Sequence, residues 1–333
     1  MTRYSLMKKI CGLVGNSSLS KMQSCLKYFL NFRHDYHREP SKQYKNNYVV
    51  FIIDGKTIHG GLSDRLRGLL SVYHYCLKRN KRLVVNWTFP FKLSEYLTIN
   101  ENKAEYGGYI SHNLNDVAFR FFNSYSFMNN DEKSYFKVLD SNKPITHVYS
   151  NVTIHEELYG KYFNELFTPS DKLKILINRC INEIGGGKYI TITFRFIGLL
   201  GDFNDTYSTG VELTDVQKSE YIQHCLNAIR YLHDKHSEVS KILVTADSNL
   251  FLEQAKKLDY VYVIPGTVSH MDSKGASSQL KTFLDFFMIS KAEHSYLYQY
   301  GKMFSGTKFA QTAALIGGKT IENITDKDVK TNF

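Results

Sequence analysis

Several features whose presence would have pointed to a function are missing from this sequence. Its five cysteines (Cys11, Cys25, Cys76, Cys180, Cys225) are an odd number, widely spaced, with no C-x-x-C pair. That excludes a disulfide framework and a cysteine zinc site, and reads as reduced thiols in a cytoplasmic protein. No apolar run approaches the ~18 residues a spanning helix needs. "ICGLVG" after Lys8 and Lys9 is too short for a signal-peptide core, and no A-x-A site follows it. The G-x-x-x-x-G-K-[ST] phosphate loop is absent, which argues against ATP hydrolysis. Only five prolines in 333 residues leave little room for disordered linkers.

What is present is the composition of a folded chain, 43% hydrophobic and 22% charged, long enough for two cores. The net charge of +10 is concentrated at one end. Residues 1–47 carry nine basic side chains (Arg3, Lys8, Lys9, Lys21, Lys27, Arg33, Arg38, Lys42, Lys45) against Asp35 and Glu39, so the body is nearly neutral. Within this arm Leu19, Met22, Leu26 and Phe29/Leu30 recur at helical spacing with lysines between them. The pattern fits a helix packed on the body, or a peripheral contact with an anionic membrane surface. Nucleic acid is not expected, because no basic stripe crosses the body.

Two strand-turn-helix units bracket the chain. Tyr48–Ile53, a glycine turn and a helix from about Leu62 to Lys78 are followed by the buried strand "RLVVNW". Residues 95–165 are rich in Asn, Tyr and Phe with weak periodicity and receive no detailed assignment. From Pro169 onward helices and strands alternate: "SDKLKILINRCINEI", "YITITFRF", "LTDVQKSEYIQHCLNAIRYLHDKH", "KILVTA", "NLFLEQAKKL", "YVYVIP", "ASSQLKTFLDFFMISKA", "HSYLYQY" and "SGTKFAQTAALIGG". Such alternation predicts parallel α/β layers. The boundaries expected are a basic arm at 1–47, an acceptor-side domain at 48–168 and a donor domain at 169–333.

In open α/β sheets ligands bind beyond the carboxyl ends of strands. The residues expected there are His59-Gly60-Gly61, Phe194-Arg195, Asp247-Ser248 and, after "HSYLYQY", Gly301 and Ser305-Gly306-Thr307. Glycines, an arginine, an aspartate and a Ser/Thr-lined helix start suit a nucleotide diphosphate: backbone N–H groups and the helix dipole hold phosphate, and Arg clamps it. "HDYH" (34–37) and "HDKH" (233–236) have metal-ligand spacing but lie in the arm and at the end of a long helix, and neither is expected to bind metal.

"GGLSDRLRGLLSVYHYC", "YITITFRF", "ILVTADSNLFLEQAKK" and "MFSGTKFAQTAALIGG" together resemble, in order and spacing, four motifs of the fucosyltransferase superfamily that includes α-1,2-, α-1,6- and protein-O-fucosylating enzymes. The resemblance covers roughly 48–90 and 188–318. It implies an α/β GT-B fold, two Rossmann-like domains facing a central cleft, and inverting transfer of fucose from GDP-fucose to a glycan hydroxyl without a required metal or other cofactor. By analogy with bacterial members, the acceptor would be a polysaccharide or lipid-linked oligosaccharide. Arg195 falls on the arginine that grips the β-phosphate, Asp247 on the residue that contacts guanosine, and Ser305, Gly306 and Thr307 on the diphosphate-binding helix start, with Phe309 beside them. His59, Gly60, Gly61, Asp64 and Arg65 would line the cleft from the other side. Thr193 stands where the family has a histidine, which keeps GDP-mannose or another nucleotide sugar open as donor. Asp202 and Asp205 in "LLGDFNDTY" are candidates for the carboxylate that takes the acceptor's proton, with Asp64 a third; an Asx-rich turn is the alternative for that stretch. A sulfotransferase using its first glycine turn, and a non-catalytic glycan-binding relative, are the other readings.

Overall fold

The computed structural model describes residues 35–44, 47–57, 59–107, 110–122, 131–203, 212–272 and 276–330. The amphipathic stretch Leu19–Leu30 and Asp205 lie outside them. No helix among the described residues is long and apolar enough to cross a membrane.

The first half is built on β1 (Tyr48–Ile53), whose last five residues are all buried, as a strand covered on both faces must be. It leads through a glycine turn into α1 (Leu62–Arg79) and then β2 (Arg82–Trp87). The stretch that sequence patterning leaves unassigned supplies β3 (Leu97–Ile99), β4 (Ala104–Tyr106), β5 (Val117–Phe122), α2 (Glu132–Leu139), β6 (Ile145–Ser150), α3 (Tyr159–Leu166) and β7 (Phe167–Pro169). Five of these strands form a parallel sheet in the order β4-β2-β1-β6-β5. β3 and β7 pair separately and antiparallel.

The second half follows the alternation read from sequence. It comprises α4 (Asp171–Glu183), β8 (Ile190–Phe194), α5 (Asp215–Lys235), β9 (Ile242–Ala246), α6 (Asn249–Ala255), β10 (Val261–Tyr262), α7 (Ala276–Lys291), β11 (Ser295–Gln299), α8 (Phe309–Ile316), β12 (Ile321–Thr325) and α9 (Asp326–Lys330). Its parallel sheet runs β10-β9-β8-β11-β12. The helix starts carry the caps their sequences announce: Ser170 accepts from Leu173 N, Ser248 from Phe251 N, and Thr214 with Gln217 forms a capping box on α5.

In each sheet the next two strands run out to one side of the first strand and the last two lie on the other, so the changeover falls between β1 and β6 in the first and between β8 and β11 in the second. A crevice opens at the carboxyl ends of the strands at such a point. The two halves share one apolar cluster, in which Leu66, Leu69, Tyr159 and Phe163 of α1 and α3 join Phe286, Phe287, Ala310 and Ala313 of α7 and α8. Gly160 permits the closest approach. A β-carbon there would lie 2.2 Å from Leu315 O, so only glycine lets α3 and α8 meet backbone to backbone.

Candidate functional site

Arg195 follows the last residue of β8. Its Nη1 donates to Asp247 Oδ2 at 2.9 Å, and its guanidinium lies 5.2 Å from the centre of the Phe203 ring. Asp247, one residue beyond β9, also accepts from Phe196 N at 2.7 Å and Ile197 N at 2.8 Å. Only 5% of it is exposed, whereas a quarter of the Arg195 side chain reaches solvent. Burial pushes the Asp247 carboxyl up, and the Arg195 charge and the two backbone N–H groups oppose that. Asp247 therefore works from beneath, aiming Arg195 and shaping the loop in which Ile197 and Gly198 take positive φ.

The loop after β11 is fastened to the same place, since Phe304 N donates to Arg195 O at 3.0 Å. Ser305 and Gly306 are exposed and Thr307 is buried. Together with Lys308 and Gln311 they line one end of a cavity of ≈ 450 Å³ between α8 and β12. Lys308, rather than Ser305, occupies the cap position of α8, and no side chain caps the helix there. Phe309 turns away from the loop to pack edge-on against Phe286, ring centres 5.6 Å apart. Thr193 bonds across the sheet to Thr245 at 2.8 Å and is buried, so it offers its hydroxyl to a neighbouring strand.

Asp202 is held at the head of α6. Its Oδ2 accepts from Ser248 Oγ at 3.0 Å and Leu250 N at 2.7 Å. Its Oδ1 is buried with no hydrogen-bond partner among the described residues.

The glycine turn of the first half is a set of mutual restraints. Gly60 has φ +73°, and a β-carbon there would collide with the Asp64 carboxylate, which itself accepts from Gly61 N at 3.2 Å to satisfy the start of α1. Arg65 is completely buried. It donates to Gly60 O and Phe89 O, both at 2.9 Å, lies over Trp87, and pairs with Asp272 from the loop following β10. It is a strap between the two halves. Arg67 pairs with Glu156 at 3.1 Å. His59 is 5% exposed, with Nε2 3.1 Å from Gly55 N and 3.8 Å from Asp54 Oδ1.

Sequence reasoning passed over the residue just beyond β1. Asp54 stands at the first winding reversal and accepts from Lys56 N at 3.0 Å and, across the reversal, from the Tyr149 hydroxyl of β6 at 2.9 Å. Burial alone would raise its pKa, but His59 beside it, the Lys56 N–H and Tyr149 hold it below the usual carboxylate range. It remains 16% accessible. Behind it the Tyr36 hydroxyl bonds to His147 Nδ1 at 2.7 Å, and burial drives the His147 pKa down to about 3. The signal was available, since "YVVFIID" ends on this aspartate by the same strand-end rule that picks out Asp247. The "HDKH" histidines do not converge: His233 stacks on Tyr260 and His236 bonds to the Tyr296 hydroxyl.

No protein-family model matches the chain, and no curated protein matches its sequence. Solved structures do match its fold. The fucosyltransferase NodZ from Bradyrhizobium superposes with a TM-score of 0.52 at 16% identity, covering 82% of this chain and 94% of its own. The NodZ α-1,6-fucosyltransferase soaked with GDP-fucose gives 0.51 at 15%, covering 82% and 93%. POFUT1 in complex with GDP gives 0.51 at 10%, covering 85% and 99%. Two parallel five-stranded sheets with their helices, in this order, are the GT-B fold of these fucosyltransferase structures, and the likeness extends over most of the chain.

Proposed function

We propose that the protein is an inverting glycosyltransferase that moves fucose from GDP-fucose to a hydroxyl of a glycan. The observation that carries the reading is the joining of Arg195 to the Ser305–Thr307 loop at the winding reversal of the second sheet, through the Phe304 N–H to Arg195 O bond. That bond ties the loop leading to the uncapped head of α8 to the backbone of Arg195, whose guanidinium is partly exposed, and a cation and a helix head held together suit a diphosphate.

In this scheme the acceptor oxygen attacks the anomeric carbon of fucose while the bond from that carbon to the β-phosphate oxygen breaks. Negative charge grows on the departing GDP, and Arg195, aimed by Asp247, stabilises it where it develops. The acceptor's proton passes to a carboxylate on the opposite face. Asp54 fits this role: it is ionised, reachable and held by Tyr149 and the Lys56 N–H. Asp202, tied to the head of α6, is a strut in this scheme. Three protein groups supply the chemistry: a cationic clamp, a helix head and a base.

The test is a turnover panel of GDP-fucose, GDP-mannose and UDP-glucose, following release of nucleotide with water as the default acceptor. GDP release from GDP-fucose, lost in Arg195→Ala, is expected. Consumption of UDP-glucose in preference would discard fucose and keep the fold. No nucleotide release from any of the three would discard the enzyme reading.

A further inference from the structure

Elsewhere in the first half, three side chains from three elements converge. They are His74 of α1, Glu132 at the first position of α2, and His155 in the turn before α3. One ligand atom from each lies within 4.8 Å of the others. His74 Nε2 is 2.8 Å from Glu132 Oε1, and His155 Nε2 is 3.7 Å from Glu132 Oε2. The remaining nitrogen of each ring is already engaged. His74 Nδ1 meets the Tyr162 hydroxyl at 2.8 Å, and His155 Nδ1 meets Glu157 at 2.9 Å. Both rings are thereby turned to present Nε2 to one carboxylate. Outer-nitrogen bonds of this kind orient histidines that ligate metals.

We propose that His74, Glu132 and His155 form a structural site for a divalent cation of the zinc class, with water as the fourth ligand. Two imidazoles and a carboxylate suit zinc, whose bonds to them of about 2.0–2.2 Å place tetrahedral ligands roughly 3.3–3.6 Å apart. His74 and Glu132 need little movement to reach that spacing. His155, whose side chain is 35% exposed, swings inward to meet them. Loading requires a bare Nε2 on His74, so that ring's proton sits on Nδ1 and is donated to the Tyr162 oxygen. Glu132, 40% exposed, leaves a route for the cation and room for the water.

The cation fastens the start of α2 and the turn at 155–157 to the buried helix α1. That turn also carries Glu156, which pairs with Arg67 and lies 4.0 Å from Lys308 at the head of α8. The site therefore steadies the seam between the halves. It does not depend on the donor or the reaction.

The experiment is calorimetric titration of the chelator-treated full chain with ZnCl2, with Co2+ absorption as a check on tetrahedral N/O ligation and thermal unfolding alongside. One zinc per chain and a raised unfolding midpoint are expected. His155→Ala and Glu132→Gln, both at the surface, should weaken binding by more than about 100-fold, and Tyr162→Phe by about 10- to 100-fold while the chain stays folded. His74 is buried, so its removal is not the deciding variant. Wild-type protein that takes up no zinc at micromolar concentrations would overturn the proposal. So would unchanged zinc affinity in His155→Ala and Glu132→Gln.

Discussion

The two winding reversals are built from opposite materials. At β1/β6 the crevice is walled by interlocked side chains: Asp54, Tyr149 and His59, with Tyr36 and His147 behind. At β8/β11 it is walled by loops of positive-φ backbone around one ion pair, with a helix head beside it. A nucleoside diphosphate brings its own charge and can be wrapped by backbone N–H groups and a single arginine. A sugar hydroxyl brings no charge, so the side that receives it must supply a fixed carboxylate in low dielectric. The contrast accounts for why the first crevice is walled by titratable side chains and the second largely by backbone.

Breaking the acceptor side should have the largest effect. Asp54→Asn keeps the shape and an acceptor for Lys56 N but cannot take a proton, so turnover should fall by about 10²–10⁴-fold. Steady-state kinetics check this, and near-normal turnover would return the base to Asp205. Next is the strap between the halves. Arg65→Met breaks the ion pair to Asp272 and strands the Gly60 and Phe89 carbonyls, a loss of about 1–3 kcal/mol in stability. Urea unfolding measures it, and an unchanged midpoint would mean that the halves are held by their shared apolar cluster alone.

The smallest effect sharpens the comparison through pH. His147 has a pKa near 3 in the folded chain against 6.5 when unperturbed. Between those values the unfolded chain takes up a proton that the folded one refuses. The stability conferred by a neutral His147 is therefore intact above pH 6.5 and is lost as pH falls toward 3. His147→Gln, which does not titrate, should reduce that acid loss by up to about 1.4 kcal/mol per pH unit. Denaturant midpoints at pH 7 and 4.5 show it. The slope that remains comes in part from His59 and His112, whose pKa values burial also lowers.

How much of this was legible follows from how each segment is buried. β1, β8 and β9 are continuous apolar or β-branched runs followed by Asp54, Arg195 and Asp247, β2 has an apolar centre in Leu83–Val85, and patterning finds them because nothing else competes. The middle region resists for a physical reason. β6, "ITHVYS", is buried at every position while carrying Thr, His, Tyr and Ser, because partners such as Tyr36 and Asp54 bond two of them from far away in sequence. β3 and β4 are three residues each, too short to show a period. In the site, Arg65 was expected to line the cleft. Its spacing from Leu62, Leu66 and Leu69 nevertheless places it on the helix face that is buried, and its partner Asp272 is 207 residues away, beyond the reach of any local pattern. Asp64 and Asp202 share a lesson, since an aspartate beside a helix start is first of all a group that satisfies backbone N–H.

The division of labour between the crevices is tested most directly by calorimetric titration of GDP into wild type, Arg195→Ala and Asp54→Asn. The account predicts that Arg195→Ala weakens GDP binding at least tenfold, while Asp54→Asn binds GDP as wild type does but releases it from GDP-fucose about 10²–10⁴-fold more slowly. GDP binding that survives loss of Arg195 and disappears with Asp54 would place the nucleotide in the first half and contradict the account.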